Sequence, residues 1–311
     1  MTTNPTKSKQ LGLLTLFSRI GLGTVQFGQD YGIANKGGKI PQDGAFDILK
    51  RARACGIHLL DTASSYGDSE VVIGEFIKKG PFPFRVVSKF SLDPYKEGKL
   101  GQVLRQSLAR MNVSGVYGYL AHRLTDVLND ERLWLDMLEV KRKNFVQKIG
   151  FSIYSPHELE ELDKRNIKFD LIQFPYSIFD RRFEKCMHGL KQQNIEIHAR
   201  SIFLQGLVFM KADQLPGHLN KAVAPLSRLS DLSLKHGISI QSLCLNFALL
   251  NPHIDRVIMG VDGLAHFEEN LKSLEDFEKV RCIYDQLQEL SIGNEDILLP
   301  NRWPLGMASK R

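Results

Sequence analysis

Four side chains capable of proton chemistry stand out by where they fall in the chain: Asp61, Tyr66, Lys89 and His122. Asp61 ends the apolar run that opens LLDTASSYGDSE (59–70), and Tyr66 lies in the loop of small residues beyond it. Lys89 ends RVVSK (85–89) and His122 ends VYGYLAH (116–122). A free tyrosine has a pKa of about 10, so moving its proton near neutral pH needs help. A cationic lysine beside the phenol stabilises the phenolate, and an aspartate paired with that lysine keeps it charged and oriented. A histidine can then position or polarise a carbonyl oxygen. Together the four suit protonation of an oxygen while hydride arrives at carbon. Singly, each has a plain structural reading: a turn-bonding acid, a surface ring, a solvated lysine, a satisfied core histidine. Their placement on consecutive strand ends favours the chemical one.

The elements that must hold these residues are legible as an alternation. Short apolar runs at 19–24, 58–61, 85–89, 116–122, 148–152, 171–174, 196–200 and 256–260 lack polar alternation, as parallel strands buried on both faces do. Amphipathic segments at 43–55, 70–79, 100–111, 131–143, 155–165, 181–193 and 225–237 predict the intervening helices. One of them carries a helix-start signal, with Ser155 as N-cap, Pro156 at the first helical position and Glu158 three residues after the cap. The pattern predicts an α/β fold, a (β/α)8 TIM barrel, as a single domain over 1–311. In such a barrel the reacting groups sit where strands end and βα-loops begin. LGLLTLF (11–17) is expected to form an N-terminal β-hairpin closing the barrel bottom. SIQSLCLNFALL (239–250) reads as an extra helix, 201–224 as an active-site loop, and 291–311 as a tail near the substrate pocket.

Composition narrows the function classes. The 311 residues carry a net charge of +6 with acids and bases interleaved, so a nucleic-acid groove is not expected. A modest positive field suits an anionic ligand such as a phosphorylated cofactor. Cys55, Cys186, Cys244 and Cys282 lie far apart without metal-ligand spacing, so no metal site and no disulfide framework is expected. No run of about eighteen apolar residues is present to span a bilayer, and the first residues lack a cleavage signal. A cytoplasmic protein is the expectation, and the oligomeric state is left open.

In these motifs the sequence resembles the aldo-keto reductase family over about residues 11–290. RIGLGTVQFG looks like the opening strand, GIHLLDTASSYGDSE the Asp/Tyr segment, VVSKF the lysine strand and YGYLAHR the histidine strand. IGFSIYSP, LIQFPYSIFDRR, IEIHARSIFLQGL and VIMGVDGLAHFEENL follow in the family's order. The resemblance implies an NADP-dependent carbonyl reductase, or the reverse alcohol dehydrogenase, with Tyr66 as general acid, Asp61 and Lys89 tuning it, and His122 at the substrate oxygen. It further implies that Gly23, Thr24, Asp61 and Ser201 lie by the cofactor, and that Ser152 and Gln173 bond the nicotinamide carboxamide. Lys211 would approach the cofactor phosphates and Asn270 the adenine. Several positions depart from the family pattern. Ile153 replaces a carboxamide-binding asparagine, Arg200 stands where an aromatic ring stacks on the nicotinamide, and Gly260 and His266, with Asp262 between them, replace the cations of the 2′-phosphate site. NADPH is the expected cofactor, with NADH as the other choice, because an acid there accepts ribose hydroxyls and repels phosphate.

Gln26, Phe27, Tyr31, Arg123, Phe203 and Trp303 are the expected substrate residues, and Arg123 and Arg200 point to a polar or anionic carbonyl compound or alcohol, such as a sugar derivative. Two other functions fit parts of the same sequence. One is a redox sensor that keeps a bound nicotinamide, as the potassium-channel β-subunits of the family do. The other is a barrel aldolase using Lys89 as a Schiff base.

Overall fold

The computed structural model describes residues 5–81, 84–92, 96 and 98–303. Eight parallel strands close into one barrel in chain order: β1 (Ile20–Gly23), β2 (Leu59–Asp61), β3 (Arg85–Phe90), β4 (Val116–Ala121), β5 (Val146–Ser152), β6 (Leu171–Pro175), β7 (Glu196–Arg200) and β8 (Arg256–Met259). Helices α1 (Pro5–Ser18), α2 (Val25–Gly28), α3 (Gln42–Cys55), α4 (Ser69–Ile77), α5 (Lys99–Met111), α6 (Leu124–Asn129), α7 (Arg132–Arg142), α8 (Pro156–Lys164) and α9 (Glu184–Gln192) come before β7. Helices α10 (Val223–His236) and α11 (Ile240–Leu250) precede β8, and α12 (Leu264–Ser273), α13 (Phe277–Cys282), α14 (Tyr284–Gln288) and α15 (Glu295–Leu298) follow it. The expected start of α8 is present: Ser155 accepts from the His157 N–H, and Glu158 accepts from the Ser155 N–H at 2.9 Å.

The expected N-terminal hairpin is not there. Residues 11–17 belong to α1, which runs to Ser18. A short apolar run does not by itself distinguish strand from helix, and only Ser18 and Arg19 separate this one from β1, too little for a turn and a second strand. Both edges of β1 are already paired, with β2 and β8. The Arg19 guanidinium fastens the junction by donating to the carbonyls of Leu249, Asn251 and Ile254 at 2.6, 3.0 and 2.8 Å. These carbonyls lie at and beyond the end of α11, where helical partners run out.

Pairing register and strand alternation stack the inward-facing residues in layers. Arg85, Lys148, Glu196 and Arg256 stand at the bottom. The middle is largely apolar, with Leu59, Val87, Leu120, Leu171 and Ile258 packed together and His198 of β7 fully buried. Two residues further along the same strands come Asp61, Lys89, His122 and Gln173, so the strand periodicity delivers them to one mouth. The larger core lies outside the barrel, between strands and helices.

Candidate active site

The mouth opens into a cleft of about 960 Å³, its opening to solvent included. Asp61, Tyr66 and His122 line it, and Lys89 is buried behind them. Lys89 Nζ donates to Asp61 Oδ1 at 2.6 Å and to the Thr62 carbonyl at 3.0 Å. Gln173 Nε2 donates to the other oxygen, Asp61 Oδ2, at 2.7 Å. The Asp61 carbonyl accepts from the Thr24 N–H and Oγ1, both at 3.0 Å, which ties β2 to the end of β1. The Lys89 ammonium lies 5.1 Å from the Tyr66 ring centroid, and the His122 ring meets Tyr66 edge-on at 5.8 Å.

Electrostatics assign these groups distinct states. Burial, and then the Asp61 charge, push the Tyr66 phenol above its ordinary pKa, so it is a proton reservoir at neutral pH. Burial also lowers the Lys89 ammonium, against the opposing pull of Asp61. His122 is lowered to about 3, first by burial and then by the charges of Lys89, Arg200 and Arg123. It is therefore a neutral imidazole, with Nδ1 at 3.3 Å from the Ser65 hydroxyl. A protonated phenol beside a neutral imidazole, with an ammonium–carboxylate pair behind the ring, can donate a proton to an oxygen and hold that oxygen by hydrogen bonding.

The Tyr66 loop is fixed by close backbone approach. A Cβ on Gly28 would overlap the Tyr66 carbonyl and the Ser69 nitrogen, and a Cβ on Gly67, whose φ is +51°, would overlap the Gly28 carbonyl. The Ser69 hydroxyl bonds the Thr24 carbonyl at 2.9 Å, anchoring the far side of the loop.

Of the other expected residues, Gly23, Thr24, Gln26, Tyr31 and Phe203 line the cleft, as do Arg200, Ser201, Gly260 and His266. Ser152, Gln173 and Asn270 are buried, and each keeps polar atoms without a hydrogen-bond partner among the described residues: Ser152 Oγ, Gln173 Oε1, and both Nδ2 and Oδ1 of Asn270. Lys211 is exposed on the connection after β7, outside the lining. That connection is built of 3-10 turns at Leu204–Phe209, Ala212–Gln214 and Gly217–Ala222.

Three of the expected substrate residues stand outside the cleft lining. Phe27 points into the core and is fully buried, because α2 turns that side chain away from the cleft while Gln26 faces it. Trp303 is buried, donates Nε1 to the Asp296 carbonyl at 3.0 Å, packs near His218 and does not line the cleft. Arg123 pairs with Asp126 at 2.9 Å and likewise stands outside the lining. None of residues 291–303 lines the cleft either, and residues 304–311 of the tail lie outside the described residues.

Tyr154, Gln205 and Phe209 line the cleft although sequence reading passed over them. Tyr154 was within reach of the strand-end rule, since it follows β5 by two residues. Gln205 carried no such signal: it adopts φ +55° and donates Nε2 to the Tyr31 hydroxyl at 3.0 Å.

The comparisons with known proteins agree with this fold. The Aldo/keto reductase family profile matches residues 19–292. The chain belongs to that family, whose members are oxidoreductases that use nicotinamide cofactors. It is 26% identical over 291 residues to an uncharacterized oxidoreductase of Bacillus subtilis, covering 86% of this chain and 90% of that one. It is 25% identical over 305 residues to an NADH-specific methylglyoxal reductase of Escherichia coli, with 83% and 90% covered. Among solved structures, the holo form of an aldo-keto reductase from Bacillus halodurans superposes with a TM-score of 0.70 at 21% identity, covering 90% of this chain and 95% of that one.

Proposed function

We propose that the chain reduces an aldehyde or ketone to an alcohol, or runs the reverse reaction, with Tyr66 as the proton donor and acceptor. The observation that carries this reading is a protonated phenol and a neutral imidazole facing one cleft, with the buried Lys89–Asp61 pair behind the phenol. His122 holds the carbonyl oxygen, and Lys89 stabilises the phenolate left after proton transfer. Asp61 and Gln173 keep Lys89 in place.

The residues present fit a nicotinamide dinucleotide. Ser152 Oγ and Gln173 Oε1 are unpartnered at the same mouth, and Asn270 is buried with its whole amide unpartnered. Buried polar groups left this way call for a ligand. The reduced nicotinamide, when bound, supplies the hydride. Ser152 and Gln173 would bond its carboxamide, Gly23, Thr24, Ser201 and Gly260 would let it approach the strand ends, and Asn270 would take the adenine.

At the β8 rim of the cleft, Asp262 Oδ1 accepts from Gln26 Nε2 at 3.1 Å, and the Asp262 N–H donates to His266 Nδ1 at 3.3 Å. A carboxylate there repels a 2′-phosphate and accepts a ribose hydroxyl. This puts NADH ahead of NADPH, in line with the NADH specificity of the Escherichia coli relative. The test is a titration of the purified protein with each dinucleotide, followed by tryptophan fluorescence. Tighter NADH binding supports both steps, tighter NADPH binding removes the role given to Asp262, and binding of neither overturns the reductase reading.

A further inference from the structure

Arg200 is a cation lining the cleft with no ion-pair partner among the described residues. Its guanidinium is half-buried, lies 4.1 Å from the Tyr154 ring, and donates to the Ile153 carbonyl at 3.0 Å and to the Ser201 hydroxyl at 3.2 Å. No described carboxylate pairs with it. The two acids lining the cleft are otherwise engaged, Asp61 with Lys89 and Gln173, and Asp262 with the Gln26 amide. A guanidinium has five N–H donors, so several remain for a ligand. Sequestering a cation without an anion is costly, and Arg200 is held in place for that cost by its planar stack and two bonds.

The backbone beyond Arg200 adds an independent sign of a ligand clamp. Ser201, which holds the guanidinium, has φ +62°, and Leu204 and Gln205 also lie in the left-handed region, at +45° and +55°. Non-glycine residues held this way cluster at ligand clamps. Gln205 faces the cleft with its Oε1 buried and unpartnered.

We infer that the substrate is an aldehyde or ketone carrying a carboxylate, and that Arg200 is the residue that selects it. This rests on the reductase reading and names its substrate class. The planar fork of Arg200 matches a carboxylate two bonds at a time. Tyr66 and His122 line the same cleft, so the carbonyl end can meet them while the carboxylate stays on Arg200, unchanged by the reaction.

The experiment compares kcat/KM for matched acid and neutral carbonyls at three spacings: glyoxylate with glycolaldehyde, succinic semialdehyde with butanal, and D-glucuronate with D-glucose. At least one acid is expected to exceed its neutral partner by about tenfold or more, and Arg200→Gln to abolish that ratio. Arg200→Lys, which keeps the charge without the fork, retains part of it. A ratio is insensitive to a general loss of activity, and the dinucleotide titration on each variant identifies the anion's source. Ratios near one for all pairs overturn the proposal while leaving the reductase reading intact. Weakened dinucleotide binding in Arg200→Gln with an unchanged ratio also overturns it, because the anion is then the cofactor's pyrophosphate. Dinucleotide binding without reduction of any of these carbonyls sinks the reductase reading and the proposal together.

Discussion

The two ends of the barrel interior are built from the same strands by the same alternation, yet their ionisable side chains reach opposite states. At the bottom, Glu196 is saturated. It accepts from Tyr117 at 2.5 Å, from Lys148, and bonds His198 Nε2 at 2.7 Å. Burial alone would raise its pKa, but these three partners hold it well below the ordinary carboxylate range. At the top, only the Lys89–Asp61 pair is closed in this way. Among the described residues the Tyr66 hydroxyl makes no hydrogen bond, Arg200 pairs with no acid, and Ser152 and Gln173 keep unpartnered oxygens. The bottom network leaves one buried atom, His198 Nδ1, without a described partner, whereas the top leaves several at one mouth, as a site awaiting a ligand does. Charge in the barrel is thus no guide to function until its partners are counted.

The sharpest way to break this contrast is Tyr66→Phe. Turnover should fall roughly a hundred- to ten-thousand-fold with little change in stability, because the lost hydroxyl bonds nothing in the fold. Steady-state rates alongside urea unfolding measure both, and retained turnover would remove the tyrosine from the chemistry. Lys89→Met should damage both properties, since it leaves the Asp61 carboxylate buried without its cation, at a cost of about 3–5 kcal/mol. Glu196→Gln is the mirror experiment at the bottom: a loss of about 2–4 kcal/mol in urea unfolding, with turnover near wild type. A severe rate loss there would show that the two ends are coupled.

The pH dependence is subtler. An unfolded histidine takes up a proton below about 6.5, whereas folded His122 resists protonation down to about 3. Its contribution to stability is therefore present above 6.5 and drains away as pH falls toward 3. His122→Gln should accordingly lose less stability than wild type over that window. Smallest of all, Ser155→Ala should cost about 1 kcal/mol through loss of the α8 cap and leave the kinetics untouched.

The eight strands and the principal helices were legible because buried parallel strands and amphipathic helices leave unlike periodicities. The strand-end rule then placed Asp61, Lys89 and His122 without coordinates. What failed was local. LGLLTLF has the composition of a strand, and its helical state is decided by the missing turn before β1. Phe27 beside Gln26 could not be oriented without the helical turn of α2, which sends adjacent side chains in different directions. The saturation of Glu196 and the solitude of Arg200 were invisible for a deeper reason: each depends on partners from several strands, and pairing across a barrel is not written in any one segment.

The contact between Gly28 and Gly67 gives the acid a dependence that no chemical group reports. A single methyl added at position 28 would displace the carbonyl of Tyr66 itself, and the phenol would be misaimed with Asp61, Lys89 and His122 still present. The phenol thus depends on two positions defined by having no side chain, and a variant that kept only the phenol would keep the letter of the site and lose its reach.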